Sequence, residues 1–303
     1  MLWLTLFAAF AGFLHAPTID YVVKEVGGVV LEYPAGSAAV AQGAYRIYNE
    51  SLPLVESALG IPAASGGVRI TIAPNRVEFE RIVSRASGGT APPDRALAVA
   101  LPGRRQMVIK ASSLEAFTDN SLLLTVRHEM VHLALGDSRR RIPKWFEEGV
   151  AEQVAGKAVR WRQRRMLRAK VRAGTLTPFR ELVDRFPTHE DWSIAYPQSL
   201  SFVQYIIGRF GDDALRGIVR RLREGIGFEK ALSEETGSTL SRLERDWKEK
   251  LRGEGSLFEG LFTAEARSAE RAVLMGIACL VVAMFVVVMI RRRRALRRMD
   301  AGD

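Results

Sequence analysis

Cysteine is almost absent from this chain of 303 residues, which contains only Cys279. A single cysteine allows no disulfide within the chain and no metal site built from several thiolates. The sequence also lacks a Gly-x-Ser-x-Gly motif and a glycine-rich phosphate-binding loop. These absences argue against a cysteine peptidase, a serine hydrolase of the Gly-x-Ser-x-Gly type and a P-loop nucleotide-binding protein.

Histidine is also scarce, and two of the four histidines lie in the sequence His128-Glu129-Met130-Val131-His132. This HExxH motif lies in an apolar stretch without glycine or proline before Gly136, which predicts a helix. Residues four apart share one helix face, so both imidazoles can reach one zinc ion. Glu129 is then placed to take a proton from a water at the metal's open position.

A catalytic zinc usually has three protein ligands, so a third is expected. Ser138 occupies the position where a third histidine would indicate a metzincin. The better candidate lies in a second predicted helix that begins near Pro143 and follows a polar turn at 136–141. If this helix packs back on the first, Glu148 faces the metal as the third ligand.

Two other glutamates of this second helix need an interpretation. Glu152 is four residues beyond Glu148 on the same face, where it can accept a hydrogen bond from a ligand histidine. Glu147 is a rival for the ligand role, but it points about 100° around the helix from Glu148. A solvated helix carboxylate is therefore the preferred interpretation of Glu147.

The two motifs together resemble those of a known family. HExxH followed by Pro-x-Trp-x-x-Glu-Gly-x-Ala-Glu is similar to the gluzincin zinc metallopeptidases, and among them to the bacterial peptidase MA-like domain. Short patterns at 174–182, 195–203 and 210–211 extend the resemblance, which covers roughly residues 27–252. The resemblance implies a thermolysin-like site with His128, His132 and Glu148 as zinc ligands, Glu129 as the catalytic base, and a Glu148–Glu152 pair.

An oxyanion donor is also implied by the resemblance, because gluzincins place a tyrosine or histidine opposite the base. Tyr196 lies at the start of a predicted helix that runs to about residue 209, and it is the candidate for this role. A half-buried tyrosine with a packing role is the alternative interpretation. His189, in a segment that reads as a loop, is a weaker candidate donor.

Hydrophobic periodicity predicts an α+β fold with a mixed part at 17–117 and a helical part at 118–252, with the HExxH helix between them. Strands are predicted at 29–33, 68–73, 96–101 and 106–110. Helices are predicted at 37–59, 76–84, 120–135, 143–157, 158–173, 197–209, 212–223, 227–235 and 238–252. By resemblance, an edge strand within 95–110 binds a peptide in extended form.

Both ends of the chain are apolar. Residues 1–16 resemble a signal peptide with a cleavage site after Ala16; an uncleaved anchor or a misassigned start are the alternatives. Residues 253–271 read as a linker, 272–290 as a single transmembrane helix and 291–303 as an Arg-rich cytoplasmic tail. This arrangement predicts a cell-membrane protein whose catalytic domain is extracytoplasmic.

Besides the C-terminal tail, one basic segment accounts for most of the formal net charge of +10. No acidic residue lies between Glu152 and Glu181, and the segment contains eight Lys and Arg residues between 157 and 172. Such a segment can attract anionic lipid headgroups or an acidic envelope polymer, although a solvated helix face is the preferred interpretation. Nucleic acid is not an expected partner of an extracytoplasmic domain.

These observations predict a membrane-anchored zinc metallopeptidase that hydrolyses proteins or peptides on the extracytoplasmic side. A catalytically silent zinc-binding domain that serves as a binding or scaffold module is one alternative. A membrane assembly protein with an accidental motif is another. An intramembrane protease fits poorly, because the apolar run around HExxH is too short to span a bilayer.

Overall fold

The structure is a computed structural model that describes residues 19–63, 67–92, 96–111, 119–136, 142–186 and 189–253. Its contacts divide the chain into two compact units. The first comprises the described residues up to Leu167 together with Leu176–Arg245. The second comprises Arg168–Thr175 and the described residues from Asp246 onward. All of the candidate site residues lie in the first unit.

The described strands form one mixed sheet in the order β1-β2-β3-β5-β4. Strands β2, β3 and β5 are parallel to one another, and β1 and β4 are antiparallel to their neighbours at the two edges. The strands are β1 (Tyr21–Val26), β2 (Val29–Pro34), β3 (Val68–Ala73), β4 (Ala98–Leu101) and β5 (Gln106–Lys110).

Four of these strands lie where the sequence predicts them, whereas β1 was not predicted. The four interior residues of β1 are exposed, so it lacks the alternation of buried and exposed residues that identifies a strand. Its pairing instead comes from a hairpin turn at Gly27 and Gly28, which have φ of 56° and 77°. Two consecutive residues with positive φ form the tight turn that joins antiparallel strands.

Both faces of the sheet carry apolar residues. Alternate residues of the central strands, among them Leu31, Ile70 and Met107, are almost fully buried, and α1 packs against β2 and β3. On the other face, Phe79 and Val83 of α2 pack on Ala73 and Val108.

The described helices follow the predicted pattern closely. They are α1 (Ala38–Leu59), α2 (Arg76–Ala86), α3 (Asp119–Leu135), α4 (Lys144–Val154), α5 (Trp161–Ala173), α6 (His189–Phe210), α7 (Asp212–Arg223), α8 (Phe228–Thr236) and α9 (240–253). Helix α6 differs from the prediction, since it begins at His189 rather than at Pro197. Proline lacks the N–H for the helical hydrogen bond and usually ends a helix. The extensive packing of α6 on α4 outweighs this preference.

An aromatic cluster fixes α4 within the helical part. Trp145 of α4 lies 4.5 Å from Phe179 and 5.3 Å from Phe202 of α6, measured between ring centroids. Phe146, the next residue of α4, lies 4.9 Å from Phe228 of α8. Because Trp145 and Phe146 are almost completely buried, they set the orientation in which α4 presents its glutamates.

The predicted transmembrane helix requires a correction to the fold class. No helix among the described residues is long and apolar enough to cross a bilayer. The predicted span at 272–290 lies outside the described residues. We therefore describe the fold as mixed α+β and mostly helical, and the residues that the structure describes contain no membrane-spanning helix. The predicted signal peptide at 1–16 and the tail at 291–303 also lie outside the described residues and stay predictions.

Candidate metal centre

Helix α3 carries the HExxH motif. It packs along the edge strand β4, and its buried apolar residues include Val126, Met130 and Val131. Burial of these residues fixes the rotation of the helix about its axis. His128 and His132 consequently lie on one side with their ring centroids 4.8 Å apart.

Helix α4 brings a second set of side chains to the same place. It begins after Pro143, whose φ of −56° suits a helix entrance, and it packs against α3 and α6. Gly149 permits the contact with α6, because a Cβ atom at this position would lie 2.6 Å from the carbonyl oxygen of Ser199. Glu147, Glu148 and Glu152 are all buried, which is rare for carboxylates unless each has a partner.

Three atoms converge between the two helices. The Nε2 atoms of His128 and His132 are 3.1 Å apart, and Glu148 Oε2 lies 3.2 Å from the first and 3.8 Å from the second. For bond lengths of about 2.1 Å, ligand atoms around a tetrahedral zinc are separated by about 3.4 Å. Glu148 Oε2 is buried and makes no hydrogen bond. These residues therefore fit a zinc ion, which would also satisfy this oxygen.

The other ring nitrogen of each histidine lies beside a carboxylate. His128 Nδ1 is 3.2 Å from Glu152 Oε1, and His132 Nδ1 is 2.6 Å from Glu147 Oε1. Glu152 thus lies beside a ring nitrogen of His128, although this Nδ1 makes no hydrogen bond among the described residues. The interpretation of Glu147 as a solvated carboxylate was wrong, since its relative exposure is only 3%. Such carboxylates orient metal-binding imidazoles and increase their basicity.

Two lysines that the sequence analysis did not single out contact this carboxylate group. Lys144 Nζ lies 2.5 Å from Glu148 Oε1 and 3.6 Å from Glu147 Oε2. Lys157 Nζ donates a hydrogen bond of 2.6 Å to Glu152 Oε1. With Glu129, the centre has four carboxylates against two lysines. Two negative charges thus remain when both histidines are neutral, which suits a divalent cation.

The pKa values reflect the same surplus of negative charge. Burial opposes protonation of His128, but the carboxylates of Glu148 and Glu152 outweigh it and raise the pKa of this histidine to about 10. Burial alone would raise the pKa of Glu148, yet Lys144 and the two histidines hold it well below its usual value. The centre therefore attracts positive charge strongly.

Glu129 points toward the sheet rather than toward a lysine. Its Oε2 accepts a hydrogen bond of 2.7 Å from the backbone N–H of Ala100 in β4, and the side chain is buried. The N–H of Lys110 donates to the carbonyl of Leu97, so Ala98 and Ala100 direct their backbone groups away from β5. The contact between Glu129 and Ala100 thus joins the candidate base to the backbone of the edge strand β4.

Tyr196 of α6 lies close enough to the centre to interact with its charges. Its ring packs against Phe186 with 5.1 Å between centroids. Burial first, and then the nearby carboxylates led by Glu148, raise the pKa of the phenol above its usual value. The hydroxyl therefore stays protonated and able to donate. The side chain of His189, the alternative donor, is outside the described part of the structure.

Comparison with protein families supports the resemblance at a coarse level. Residues 108–253, a little under half of the chain, match the family model described as the Peptidase MA superfamily. The matched segment contains α3, α4 and α6, and so every residue of the candidate centre except Ala100. The match supports a peptidase as the class of protein.

Two individual proteins are also similar to this chain. The uncharacterized protein YhcO of Bacillus subtilis (strain 168) is 22% identical over 177 residues, which are 54% of this chain and 50% of YhcO. This chain therefore matches about half the length of that relative. The crystal structure of Legionella pneumophila aminopeptidase A in complex with aspartic acid is 14% identical, with a TM-score of 0.46. That similarity covers 75% of this chain and 28% of the aminopeptidase chain.

Proposed function

We propose that this protein is a zinc-dependent peptidase that hydrolyses peptide bonds of proteins or peptides. The observation that carries the proposal is the convergence of His128 Nε2, His132 Nε2 and Glu148 Oε2 within 4.8 Å of one another. Glu129, a carboxylate without a metal-ligand role, lies one residue from His128 on the same helix. The match of residues 108–253 to the Peptidase MA superfamily supports the same reaction class.

Each residue has a distinct task in this proposal. A zinc ion held by His128, His132 and Glu148 would acidify a water molecule and polarise the substrate carbonyl. Glu129 accepts the proton of the attacking water and passes it to the leaving amine. The N–H of Ala100 holds one oxygen of Glu129, which leaves the other available for this proton.

Two further features would position the substrate. The outward-directed backbone groups of Ala98 and the carbonyl of Ala100 can pair with an extended peptide, whereas the N–H of Ala100 is taken by Glu129. Main-chain hydrogen bonds of this kind accept many peptide sequences. Protonated Tyr196 can donate a hydrogen bond to the oxyanion of the tetrahedral intermediate. Within the predicted peptide-binding segment 95–110, we assign substrate binding to β4, because β4 lies at the edge of the sheet and β5 lies inside it.

The test is metal content and peptide cleavage measured on the same purified full-length protein. We expect the wild type to contain one zinc ion per chain by elemental analysis and to cleave a peptide library. Glu129→Gln should retain the metal and lose cleavage, whereas His128→Ala should lose both. Glu80→Gln, which changes an exposed carboxylate of α2, is the matched control and should retain both.

Two outcomes would contradict the proposal. A wild-type protein without stoichiometric metal would exclude a zinc enzyme. If the wild type and Glu129→Gln both bind zinc and neither cleaves a peptide, the result would instead favour a catalytically silent zinc-binding module.

A further inference from the structure

Lys144 is the charged group nearest to the candidate ligand Glu148. Its Nζ lies 2.5 Å from Glu148 Oε1, one helical turn earlier in α4. Glu148 has a side-chain exposure of 4%, whereas Lys144 is 28% exposed. A charge-assisted contact with a buried carboxylate is among the stronger polar interactions in proteins.

The two oxygens of Glu148 have different surroundings. Oε2 faces the Nε2 atoms of His128 and His132 and makes no hydrogen bond, whereas Oε1 faces Lys144. Loss of Lys144 would remove this cation from Oε1, and the carboxylate could then turn both oxygens toward a metal. A second oxygen at the metal would occupy the position that a catalytic zinc site keeps open.

We propose that Lys144 is a positioning residue that makes Glu148 a one-oxygen metal ligand and so preserves an open coordination position. This inference rests on the proposed zinc-dependent function and adds a residue to it. Lys144 touches neither substrate nor metal in this role. Its Nζ also lies 3.6 Å from Glu147 Oε2, but in this role it acts through the closer oxygen of Glu148.

Lys157 provides a matched comparison within the same centre. Its Nζ also lies 2.6 Å from a buried carboxylate, and its side-chain exposure of 33% is similar to that of Lys144. Its partner, however, is Glu152, which lies beside His128 Nδ1 rather than among the three converging atoms. Removing either lysine removes one positive charge, but of the two only Lys144 contacts the carboxylate of the candidate metal ligand Glu148.

The experiment compares Lys144→Met, Lys144→Arg and Lys157→Met in the full-length protein loaded with cobalt(II) in place of zinc. The visible absorption of cobalt(II) weakens when its coordination number rises. We expect Lys144→Met to weaken this absorption and Lys157→Met to leave it as in the wild type. Lys144→Arg should restore it, because a guanidinium can still occupy Oε1. Peptidase kcat should fall roughly tenfold to a hundredfold in Lys144→Met.

Several results would overturn the inference. An unchanged cobalt(II) spectrum in Lys144→Met, or an equal change in both methionine variants, would show that Lys144 supplies charge only. Should Lys144→Met fail to fold, Lys144→Gln replaces it, and an unchanged spectrum there has the same meaning. If the wild type binds no cobalt(II) or zinc, the proposed function fails. If it binds metal and cleaves peptides but the Lys144 variants match it, only this inference fails.

Discussion

At the scale of single residues, the candidate centre contains two imidazoles, and each lies beside a carboxylate that is not itself a candidate metal ligand. Glu152 lies beside Nδ1 of His128, and Glu147 lies beside Nδ1 of His132. A histidine that binds metal through Nε2 must keep its proton on Nδ1, so each carboxylate stabilises the tautomer that the metal needs. The two glutamates therefore have equivalent roles, one for each histidine.

This equivalence predicts that Glu147→Gln and Glu152→Gln both weaken zinc binding, each by roughly tenfold to a hundredfold. Glutamine keeps the size of the side chain and a hydrogen-bond acceptor but removes the charge that favours the imidazole proton. Zinc affinity can be measured by competition with a chromophoric chelator.

Glu181→Gln is the control for these two variants, because Glu181 is exposed and lies outside the centre. It should bind zinc as the wild type does. Normal zinc affinity in Glu147→Gln would mean that its 2.6 Å contact with His132 contributes nothing to the metal site.

The residues of the centre differ in how far the sequence could predict them. Spacing along one helix places His128 and His132 on a common face, and the same rule relates Glu148 to Glu152. Helix periodicity gives the direction of Glu147 around its own helix but not the position of α3 beside it. Its contact with His132 therefore required the packing of two helices. The contacts of Lys144 are instead local, because Glu147 and Glu148 lie three and four residues further along the same helix.

At the scale of elements, the contact between α4 and α6 depends on Gly149. A Cβ atom there would lie 2.6 Å from Ser199 O and 2.7 Å from a methyl group of Val203. We therefore expect Gly149→Ala to push the two helices apart and to destabilise the protein by about 1–3 kcal/mol. Because Gly149 follows Glu148, zinc affinity should fall as well. Urea denaturation and chelator competition measure the two effects.

Gly208 is a suitable control for the change at Gly149. It lies within α6, and a Cβ atom there would meet nothing within 4 Å. Alanine favours a helix over glycine by roughly 0.5–1 kcal/mol, so Gly208→Ala should leave the stability unchanged or increase it. If both alanine variants are as stable as the wild type, the close approach of α4 to α6 does not require Gly149.

Most elements could be predicted from local patterns, and the exceptions have identifiable causes. The strands and helices whose apolar residues recur with a period of two or 3.6 lie where periodicity places them. Strand β1 was missed because its side chains are exposed on both faces, so only its backbone pairing with β2 defines it. The start of α6 was misplaced because packing on α4 outweighs the preference of Pro197 for a helix end.

At the scale of the whole molecule, strand order was beyond the reach of the sequence. The pairing of β3 with β5 places β4 at the edge, although β4 precedes β5 in the chain. Such an arrangement depends on contacts between distant residues, which local periodicity does not encode. The family match begins within β5 at residue 108 and continues to 253, so it contains the helices of the centre but not β1 to β4.

The charge of the centre links metal binding to the stability of the whole molecule. Without a cation, the four buried carboxylates carry more negative charge than Lys144, Lys157 and a protonated His128 offset, so part of their repulsion remains uncompensated. A ligand that binds only the folded state stabilises it by about 2.7 kcal/mol at a free concentration one hundred times its Kd. We therefore expect a chelator to lower the melting temperature and added zinc to raise it progressively, as measured by differential scanning calorimetry.

Two variants separate this linkage from unspecific effects of zinc. Glu129→Gln keeps all three converging ligand atoms, so its melting temperature should rise with zinc as in the wild type. His132→Ala removes one of those atoms and also leaves Glu147 without its imidazole partner, so its melting temperature should respond weakly or not at all. An equal response of the two variants would place the stabilising zinc elsewhere on the protein. A response confined to proteins with an intact His128, His132 and Glu148 would tie the stability of the fold to the same three residues that carry the proposed chemistry.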